Sequence, residues 1–410
     1  MPPSNLLIVT GSETYAFDMA LMASRFTNVA LVRWTPPGQF EGSLFETYTI
    51  QKGQSKRVSK VWVPLRTRRR SLWYASRLPL FVINTWLMFS LAIKARKHLG
   101  ADEAIVSGLG IGWGGAIITL FLKKLGLLES FAYYRVDWFV GRRQNFYDSF
   151  TINVFFRLLD RTLSRASGRV WNMTEAVREA AILAHNFRNP KEMIVKPPIG
   201  NGGAHPKAPR IEEPYIVYCG EVKPGCGLPL VLGALRTLRT QNQIMNLKII
   251  GRARTDYLTN LHREFGDVFD AGLCQYLGGF DAGNERDKLR VNQIIAGADA
   301  GVAIFPSGSD NTSNYVIPNR ILLYLANHTP VLINEDSAAA DWLCSAGVAL
   351  ATSAVTESIA KGILLLRDSL EYKTWLKSNI GSFMATIASG AETERALEEL
   401  TGNLSCTGNG

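Results

Sequence analysis

The stretch from Phe305 to Asn334 holds the residues best suited to bind an anion. An apolar run ends at Pro306, and a polar loop of Ser, Gly, Asp, Asn and Thr follows it. Pro318 stands at the start of a predicted helix, where its missing N–H costs nothing, and Arg320 lies in the first turn. Helix N-termini attract anions, so a cation in this turn favours a phosphate ligand. The alternative is a capped loop with a solvent-facing Arg320, and these residues alone leave both open.

A carboxylate at the end of another predicted strand is the candidate general base. Phe131–Val136 is apolar and aromatic, and Asp137 follows it, with Trp138 and Phe139 next. Aromatic neighbours lower the local polarity, which suits a group that must accept a proton. The alternative is that Asp137 only caps the following segment.

Three glycines follow another predicted strand in a pattern typical of dinucleotide sites. Gly110, Gly112 and Gly115 satisfy G-x-G-x-x-G between the strand and a helix. Such a site also needs an acidic residue at the end of the next strand, for which Asp137 is the candidate. The sequence favours the other explanation, in which the glycines allow the helix to pack closely.

Short apolar segments alternate with amphipathic ones along the whole chain, which predicts an α/β protein with two doubly wound sheets. Polar residues at strand ends face the ligand edge of such sheets, so Gly11, Ser12 and Asn172 are candidate acceptor or cleft residues. A segment rich in Pro and Gly, residues 197–214, is the expected linker. It separates an N-terminal domain, residues 1–196, from a C-terminal domain, residues 215–385, and residues 386–410 form a helix and tail.

The composition indicates the compartment in which the protein works. The 410 residues include five cysteines, an odd number without C-x-x-C pairing, which argues against a disulfide framework and against zinc. The first residues show no secretory signal. These features predict a cytoplasmic protein.

Residues 47–101 carry twelve Lys or Arg and no Asp or Glu, within a chain of net charge +10. An apolar segment inside it, residues 78–93, is shorter than the roughly 20 residues that span a bilayer. Basic and aromatic residues flank or interrupt that segment, which favours a helix lying in an anionic membrane interface over nucleic-acid binding. The alternative is a core helix behind a solvated basic loop. The candidate membrane residues are Arg68, Arg69, Arg70, Trp73, Tyr74 and Trp86.

Several motifs in the second half resemble, in order, the donor domain of group-1 (family 4-like) glycosyltransferases. They are Tyr218-Cys219-Gly220, the segments ending at Gly251 and at Gly278-Gly279, Ala303–Ser307, and Pro318–Ala326. The resemblance implies the GT-B fold, with two doubly wound, Rossmann-like domains facing across a cleft, and a nucleotide-diphosphate sugar as co-substrate.

The first half adds a finer resemblance. Tyr133–Asp137 and Val170–Glu175 are similar to bacterial membrane-associated members, among them the xanthan-type glucuronosyltransferases. That similarity implies that Asp137 deprotonates the acceptor hydroxyl and that the sugar is transferred with inversion. It also implies a lipid-linked or membrane-bound acceptor and peripheral attachment to the inner face of the cell membrane.

The sequence departs from the group-1 pattern at four positions. Tyr315 and Leu323 stand where the family carries two Glu, and Glu221 and Cys226 stand where it carries diphosphate-binding Arg and Lys. The ordinary retaining mechanism therefore does not transfer, and a catalytically inactive scaffold binding a glycolipid or partner enzyme is the alternative function.

The expected donor site has three parts, for the diphosphate, the nucleotide and the sugar. Arg320, the helix start at Pro318 and Asn319, and Lys223 or Arg252 are expected to bind the diphosphate. The strand-end glycines, Gly220, Gly251 and Gly278, are expected beside the nucleotide, and Ser307 to Tyr315 beside the donor sugar. The sequence has no paired carboxylates of D-x-D type at a strand end, so neither a metal nor a further cofactor is expected.

Overall fold

A computed structural model of the chain describes residues 5–11, 15–35, 43–63, 70–99, 106–138, 151–198, 213–280, 285–306 and 312–402. The chain divides into two compact units. Unit 1 comprises residues 1–198 and 390–410, and unit 2 comprises residues 199–389.

Unit 1 is built on an eight-stranded sheet with the order β4-β3-β2-β1-β5-β6-β7-β8. Neighbouring strands are parallel except at β3, which is antiparallel to both β2 and β4. The strands are β1 (Asn5–Thr10), β2 (Val29–Thr35), β3 (Ser43–Gln51), β4 (Gln54–Val63), β5 (Val106–Ile111), β6 (Ser130–Arg135), β7 (Arg169–Asn172) and β8 (Glu192–Ile194). The described helices of its first 198 residues are α1 (Tyr15–Ala23), α2 (Arg70–His98), α3 (Gly112–Lys124), a π-helical turn (Thr151–Phe156), α4 (Arg157–Ala166) and α5 (Glu175–His185).

The β3–β4 hairpin was not predicted from the sequence. It takes up the first part of the basic segment, and β4 is the edge strand of the sheet. Lys56, Arg57 and Lys60 are exposed on β4. Charged side chains on an edge strand prevent pairing with other chains, so these cations already have a structural use.

The rest of the basic segment forms α2, and its C-terminal half is a core helix. Met88, Leu91, Ala92 and Ala95 recur at helical spacing and are buried against β1, β2 and α3. The C-terminal half of α2 is therefore a buried core helix, which is the alternative that the sequence left open.

The N-terminal half of α2 contains Arg70, Trp73 and Tyr74, and further along the same helix the indole of Trp86 is 66% exposed. Arg68 and Arg69 lie outside the described residues. Among the described helices, none combines the length and apolarity needed to cross a bilayer.

Two of the three glycines around the start of α3, Gly110 and Gly115, allow the close packing that the sequence predicted. A Cβ on Gly110 would lie 2.4 Å from the Ala116 Cα, and one on Gly115 would lie 2.1 Å from the Val9 carbonyl oxygen. These contacts leave no room for side chains where α3 crosses β1 and β5.

Unit 2 is built on a parallel six-stranded sheet with the order β11-β10-β9-β12-β13-β14. Its strands are β9 (Tyr215–Cys219), β10 (Asn246–Ile250), β11 (Cys274–Tyr276), β12 (Ala300–Ala303), β13 (Val331–Asn334) and β14 (Ala349–Thr352). Most of their residues are buried, as expected for a parallel sheet covered on both faces. The helices are α6 (Leu228–Thr240), α7 (Thr255–Glu264), α8 (Gly266–Asp270), α9 (Glu285–Ala296), α10 (Thr312–Tyr315), α11 (Asn319–Ala326), α12 (Ala340–Ser345), α13 (Thr356–Asp368) and α14 (Leu370–Ser389).

The C-terminal helix α15 (Ala391–Thr401) returns to unit 1. Ser107 Oγ on β5 donates to the Leu400 carbonyl at 2.9 Å, and Arg169 on β7 pairs with Glu399 at 2.9 Å. The end of the chain therefore completes the first unit.

We expect Gly115→Ala to destabilise unit 1 by about 1–3 kcal/mol, because its methyl group would be forced into the β1 backbone. Gly114→Ala is the matched control, since a Cβ at Gly114 meets nothing within 4 Å. The unfolding midpoint in urea measures both changes. Equal midpoints for the two variants would contradict the packing role of Gly115.

Candidate functional site

The guanidinium of Arg320 lies against two aromatic rings in unit 2. Helix α11 begins after Pro318, which has extended backbone geometry (φ −60°, ψ 133°), and Arg320 is its second residue. The guanidinium carbon lies 4.4 Å from the Tyr218 ring centre and 5.0 Å from that of Phe305. Tyr218 belongs to β9, and Phe305 follows β12, so Arg320 lies where these two neighbouring strands end.

Tyr324 fixes α11 to the same two strands. Its hydroxyl accepts a hydrogen bond from the Cys219 N–H at 2.8 Å and lies 3.2 Å from the Val302 carbonyl, to which it donates. Its ring packs on Gly301, where a Cβ would come within 2.3 Å of the ring atoms. Because Tyr324 is one helical turn after Arg320, this anchor also sets the position of the guanidinium.

The charge of Arg320 has no compensating anion among the described residues. Its Nη1 is buried without a hydrogen-bond partner, and no described carboxylate lies within 4 Å. Burial raises the pKa of the neighbouring Cys219 thiol to about 11, and burial also raises the pKa of Tyr218. Both groups are neutral at physiological pH, so the local charge is positive.

Glycines end two adjacent strands beside Arg320. Gly220 (φ +153°) and Gly251 (φ +147°) follow β9 and β10. A Cβ on Gly251 would lie 1.9 Å from the Gly220 carbonyl oxygen, and one on Gly220 would lie 2.9 Å from Arg320 Nη2. The Gly251 N–H donates to the Gly278 carbonyl at 2.9 Å, which continues the row to the end of β11. The structure therefore brings Gly220, Gly251, Gly278 and Arg320 together.

Lys223 and Arg252, the other two cations predicted to bind the diphosphate, are more exposed than Arg320. Lys223 pairs with Glu221 at 2.7 Å, and both side chains are about half exposed. Arg252 is exposed, and its Cγ would lie 2.9 Å from a Cβ on Gly279. Glu221 thus compensates Lys223, whereas it makes no ion pair with Arg320.

The remaining donor residues are only partly placed. Asn319 is exposed at the start of α11, and Tyr315 ends α10. Ser307 lies outside the described residues. A cavity of about 30 Å³ lies beside Gly278, lined also by Phe280 and Arg290.

Asp137 lies at the carboxyl end of β6 in unit 1. Val136 and Trp138 on either side of it are buried, whereas Asp137 is partly exposed. Trp138 packs edge-on against Phe156 and His185, with ring centres 6.2 and 5.8 Å away. The packing of Trp138 therefore fixes the chain next to Asp137.

Gly11 follows β1, next to β5, where the strand order of unit 1 reverses. Ser12 lies outside the described residues. Gly11 thus occupies a switch point of the sheet, which is where ligands of open parallel sheets bind.

Asn172 does not suit the predicted role at a cleft. It is fully buried, its Oδ1 accepts from Arg135 Nη1, and its Nδ2 donates to Glu192 Oε1 at 2.8 Å. Both ends of the amide are occupied by neighbours in unit 1. We therefore correct its role to that of a structural amide.

Asn172 belongs to a buried network around Arg135 that the sequence did not reveal. Asp160 accepts two hydrogen bonds from Arg135, at 3.1 Å each. Tyr133 and His185 each lie 2.6 Å from the same carboxylate. An arginine within the apolar strand β6 was the available signal, because a buried charge requires partners.

The charge of Asp160 is stabilised by its neighbours. Burial alone would raise the pKa of Asp160, but the Arg135 guanidinium, with hydrogen bonds from His185 and Tyr133, lowers that pKa to about 2. Asp160 is therefore ionised throughout the physiological range and joins β6, α4 and α5.

Comparison with solved structures gives the fold. HepE from Anabaena, crystallised with UDP and glucose, matches 98% of this chain and 100% of its own, with a TM-score of 0.65 and 12% identity. A UDP-forming trehalose-phosphate synthase from Burkholderia xenovorans matches 98% and 99%, with a TM-score of 0.66 and 14% identity. A glycosyltransferase from Rickettsia africae matches 98% and 100%, with a TM-score of 0.62 and 10% identity. No protein-family model and no curated protein matches the sequence.

This chain has the GT-B fold. The two Rossmann-like units predicted from the sequence are thereby confirmed. In the second GT-B unit the strand order reverses between β9 and β12. Arg320 lies over residues of these two strand ends, at the position where the fold class binds ligands.

We expect Asp160→Asn to destabilise unit 1 by about 3–5 kcal/mol, since it leaves the buried Arg135 without its main counter-charge. Asp267→Asn is the matched control, because Asp267 pairs with Arg236 on the surface and should cost less than about 1 kcal/mol. Chemical denaturation followed by circular dichroism measures both. Similar losses in the two variants would contradict the structural role of the network.

The same carboxylate predicts acid sensitivity. The folded-state pKa of Asp160 is about 2, below the ordinary value of 3.8, so its contribution is complete above about pH 4 and is lost as the pH falls toward 2. Denaturation midpoints between pH 6 and pH 2.5 should fall more steeply for the wild type than for Asp160→Asn. Parallel pH profiles would show that Asp160 is not the group responsible.

Proposed function

We propose that this chain is a glycosyltransferase that takes a sugar from a nucleoside-diphosphate donor bound by unit 2. The observation that carries the proposal is the buried, unpartnered Nη1 of Arg320 at the start of α11. Free N–H groups of a helix N-terminus and a guanidinium are both suited to phosphate oxygens. HepE crystallised with UDP-glucose, and the synthase described as UDP-forming, support a uridine nucleotide as the first donor to test.

Arg320 has a chemical role in this proposal. The diphosphate gains negative charge as the glycosidic bond breaks, and a fixed cation stabilises that charge as it develops. Because Arg320 supplies this compensation, the proposed reaction needs no metal ion. The glycines at the ends of β9 and β10 pack tightly against each other and Arg320, and their backbone is the proposed neighbour of the nucleotide.

Asp137 is the proposed general base. It is the partly exposed carboxylate at the end of β6, and it would take the proton of the acceptor hydroxyl while that oxygen attacks the anomeric carbon. The resulting direct displacement inverts the configuration of that carbon.

The proposed acceptor is lipid-linked or otherwise bound to a membrane, in the synthesis of a polysaccharide or glycolipid. What supports this is residues 47–101, with twelve cations and no acidic residue. The protein would then act at the cytoplasmic face of the membrane, as a peripheral protein.

An inactive GT-B scaffold is the second candidate. It is favoured by Glu221, which compensates Lys223 at a position where the glycosyltransferase family carries a cation. Calorimetry against a panel of nucleotide sugars separates the two functions, because a scaffold without a donor site gives no binding heat with any of them.

We expect Asp137→Asn to lower the transfer rate by about 10²–10⁴-fold, the usual contribution of a general base, and to leave donor affinity unchanged. Glu129→Gln is the control, because Glu129 is an exposed acid of the same unit. Transfer assays and calorimetry with the donor measure the two effects. Full activity of Asp137→Asn would remove Asp137 as the base.

We expect Arg320→Gln to lower kcat/KM by about 10²–10³-fold and to weaken nucleoside-diphosphate binding. Arg263→Gln is the control, since Arg263 is exposed on α7 and bonds only to Asn260 among the described residues. Thermal unfolding of both variants checks that they fold. A folded Arg320→Gln protein with wild-type diphosphate affinity would contradict the proposed site.

A further inference from the structure

Four helical segments of unit 1 form one layer on one face of its sheet. Helix α3 lies between α2 and α4 and contacts both. Helices α2 and α3 share a core with β1 and β2, and α3 and α4 share one with β6. We call α2, α3, the π-helical turn and α4 the outer helix layer.

Large apolar side chains are concentrated on the outward side of this layer. Of the nine exposed large hydrophobic residues among the described residues of unit 1, six belong to it, and a seventh, Leu125, immediately follows α3. On α2, Ile83 is 49% and Trp86 is 66% exposed. Phe121 on α3 is 52% exposed, and Leu125 just after α3 is 61% exposed.

The turn and helix next to α3 continue this surface. Phe155 and Leu158 are 56% and 58% exposed, and Val154 is exposed beside them. Burial on these segments follows the helical repeat, with Phe156, Asp160 and Leu163 facing the core. The exposed residues therefore lie on the side turned away from the sheet, as on α2 and α3.

The exposed charged residues of these four segments are all cations. Lys94 on α2, Lys124 on α3 and Arg157 on α4 are exposed. The four segments contain a single acidic residue, Asp160, which is buried and paired with Arg135. Apolar side chains among unopposed cations are the combination that binds an anionic lipid surface.

We propose that the outer helix layer is the surface that docks on an anionic lipid bilayer. The cations lie at the phosphate level while Trp86, Phe121, Leu158 and their apolar neighbours enter the headgroup region. The inference rests on the membrane-bound acceptor of the proposed function and adds the residues that meet the lipid. The inferred membrane contact includes α3 and α4, which lie outside residues 47–101, and it excludes the β3–β4 hairpin.

The chemistry disfavours two other occupants. A second copy of the same face would place cations against cations. Nucleic acid stacks on single aromatic rings, whereas Ile, Val and Leu make up most of the apolar residues on this surface.

Co-sedimentation of the full chain with vesicles tests the inference. Vesicles of phosphatidylcholine with 30% phosphatidylglycerol are compared with pure phosphatidylcholine at low salt. We expect binding to the anionic vesicles only. Combined replacement of Lys94, Lys124 and Arg157 by Gln should weaken vesicle binding about a hundredfold. Each cation near an anionic surface contributes about fivefold to the affinity, and the three factors multiply.

A matched variant removes the same charge elsewhere. Arg263, Lys288 and Lys361 are exposed cations of unit 2, and their replacement by Gln should leave vesicle binding near the wild-type value. Replacement of Trp86, Phe121 and Leu158 by Ser should weaken binding, whereas Ser at Leu183 and Leu370, which are 86% and 71% exposed, should not.

Several results would overturn the inference. They are no binding to anionic vesicles, equal losses in the layer and control variants, and a loss caused only by replacing Lys56, Arg57 and Lys60 of the hairpin. Retention of the wild type on nucleic acid without vesicle binding would also overturn it. Calorimetry with nucleoside diphosphates on the same proteins keeps the two proposals distinguishable, since the layer variants should bind a diphosphate like the wild type even if vesicle binding fails.

Discussion

The contact between the Arg320 guanidinium and the rings of Tyr218 and Phe305 is the interaction on which the account of unit 2 depends. A buried cation is costly unless its surroundings compensate it, and two ring faces do so only in part. Tyr324 holds the helix that carries Arg320 on β9 and β12, so the guanidinium stays where these strands end. The fold therefore positions a positive charge at these strand ends, and one of its nitrogens has no hydrogen-bond partner among the described residues.

Arg135, which is fully buried in unit 1, shows what a purely structural charge looks like in the same chain. Arg135 in unit 1 is bound by Asp160, Asn172, Glu192 and Ser164, and the ionised Asp160 is held in turn by Tyr133 and His185. Such a network joins β6, β7, β8, α4 and α5 and gives every guanidinium nitrogen of Arg135 a partner. The two arginines are distinguished by their partners, which supports different roles for the same residue type.

Local patterns predicted much of this arrangement. Alternating apolar and amphipathic segments predicted the two α/β sheets, and the proline before Arg320 predicted the start of α11, because both signals lie within a few residues. Tyr324 and Cys219 are 105 positions apart in sequence, and no local pattern indicates that they meet. The β3–β4 hairpin was missed because its many cations resembled a solvated basic segment, and Asn172 was misjudged because its partners Arg135 and Glu192 lie on other strands. Long-range pairing explains the misses at Tyr324 and Asn172, whereas the hairpin is a local pairing that the basic composition obscured.

Calorimetric titration of the intact chain with nucleoside diphosphates, each beside its parent nucleoside, tests the central claim most directly. Since the proposed site recognises the diphosphate through Arg320 and the start of α11, at least one diphosphate should bind ten or more times tighter than its nucleoside, and salt should weaken that preference. UDP and uridine are the first pair to measure. Binding of no diphosphate, or equal affinity for diphosphate and nucleoside, would contradict the account.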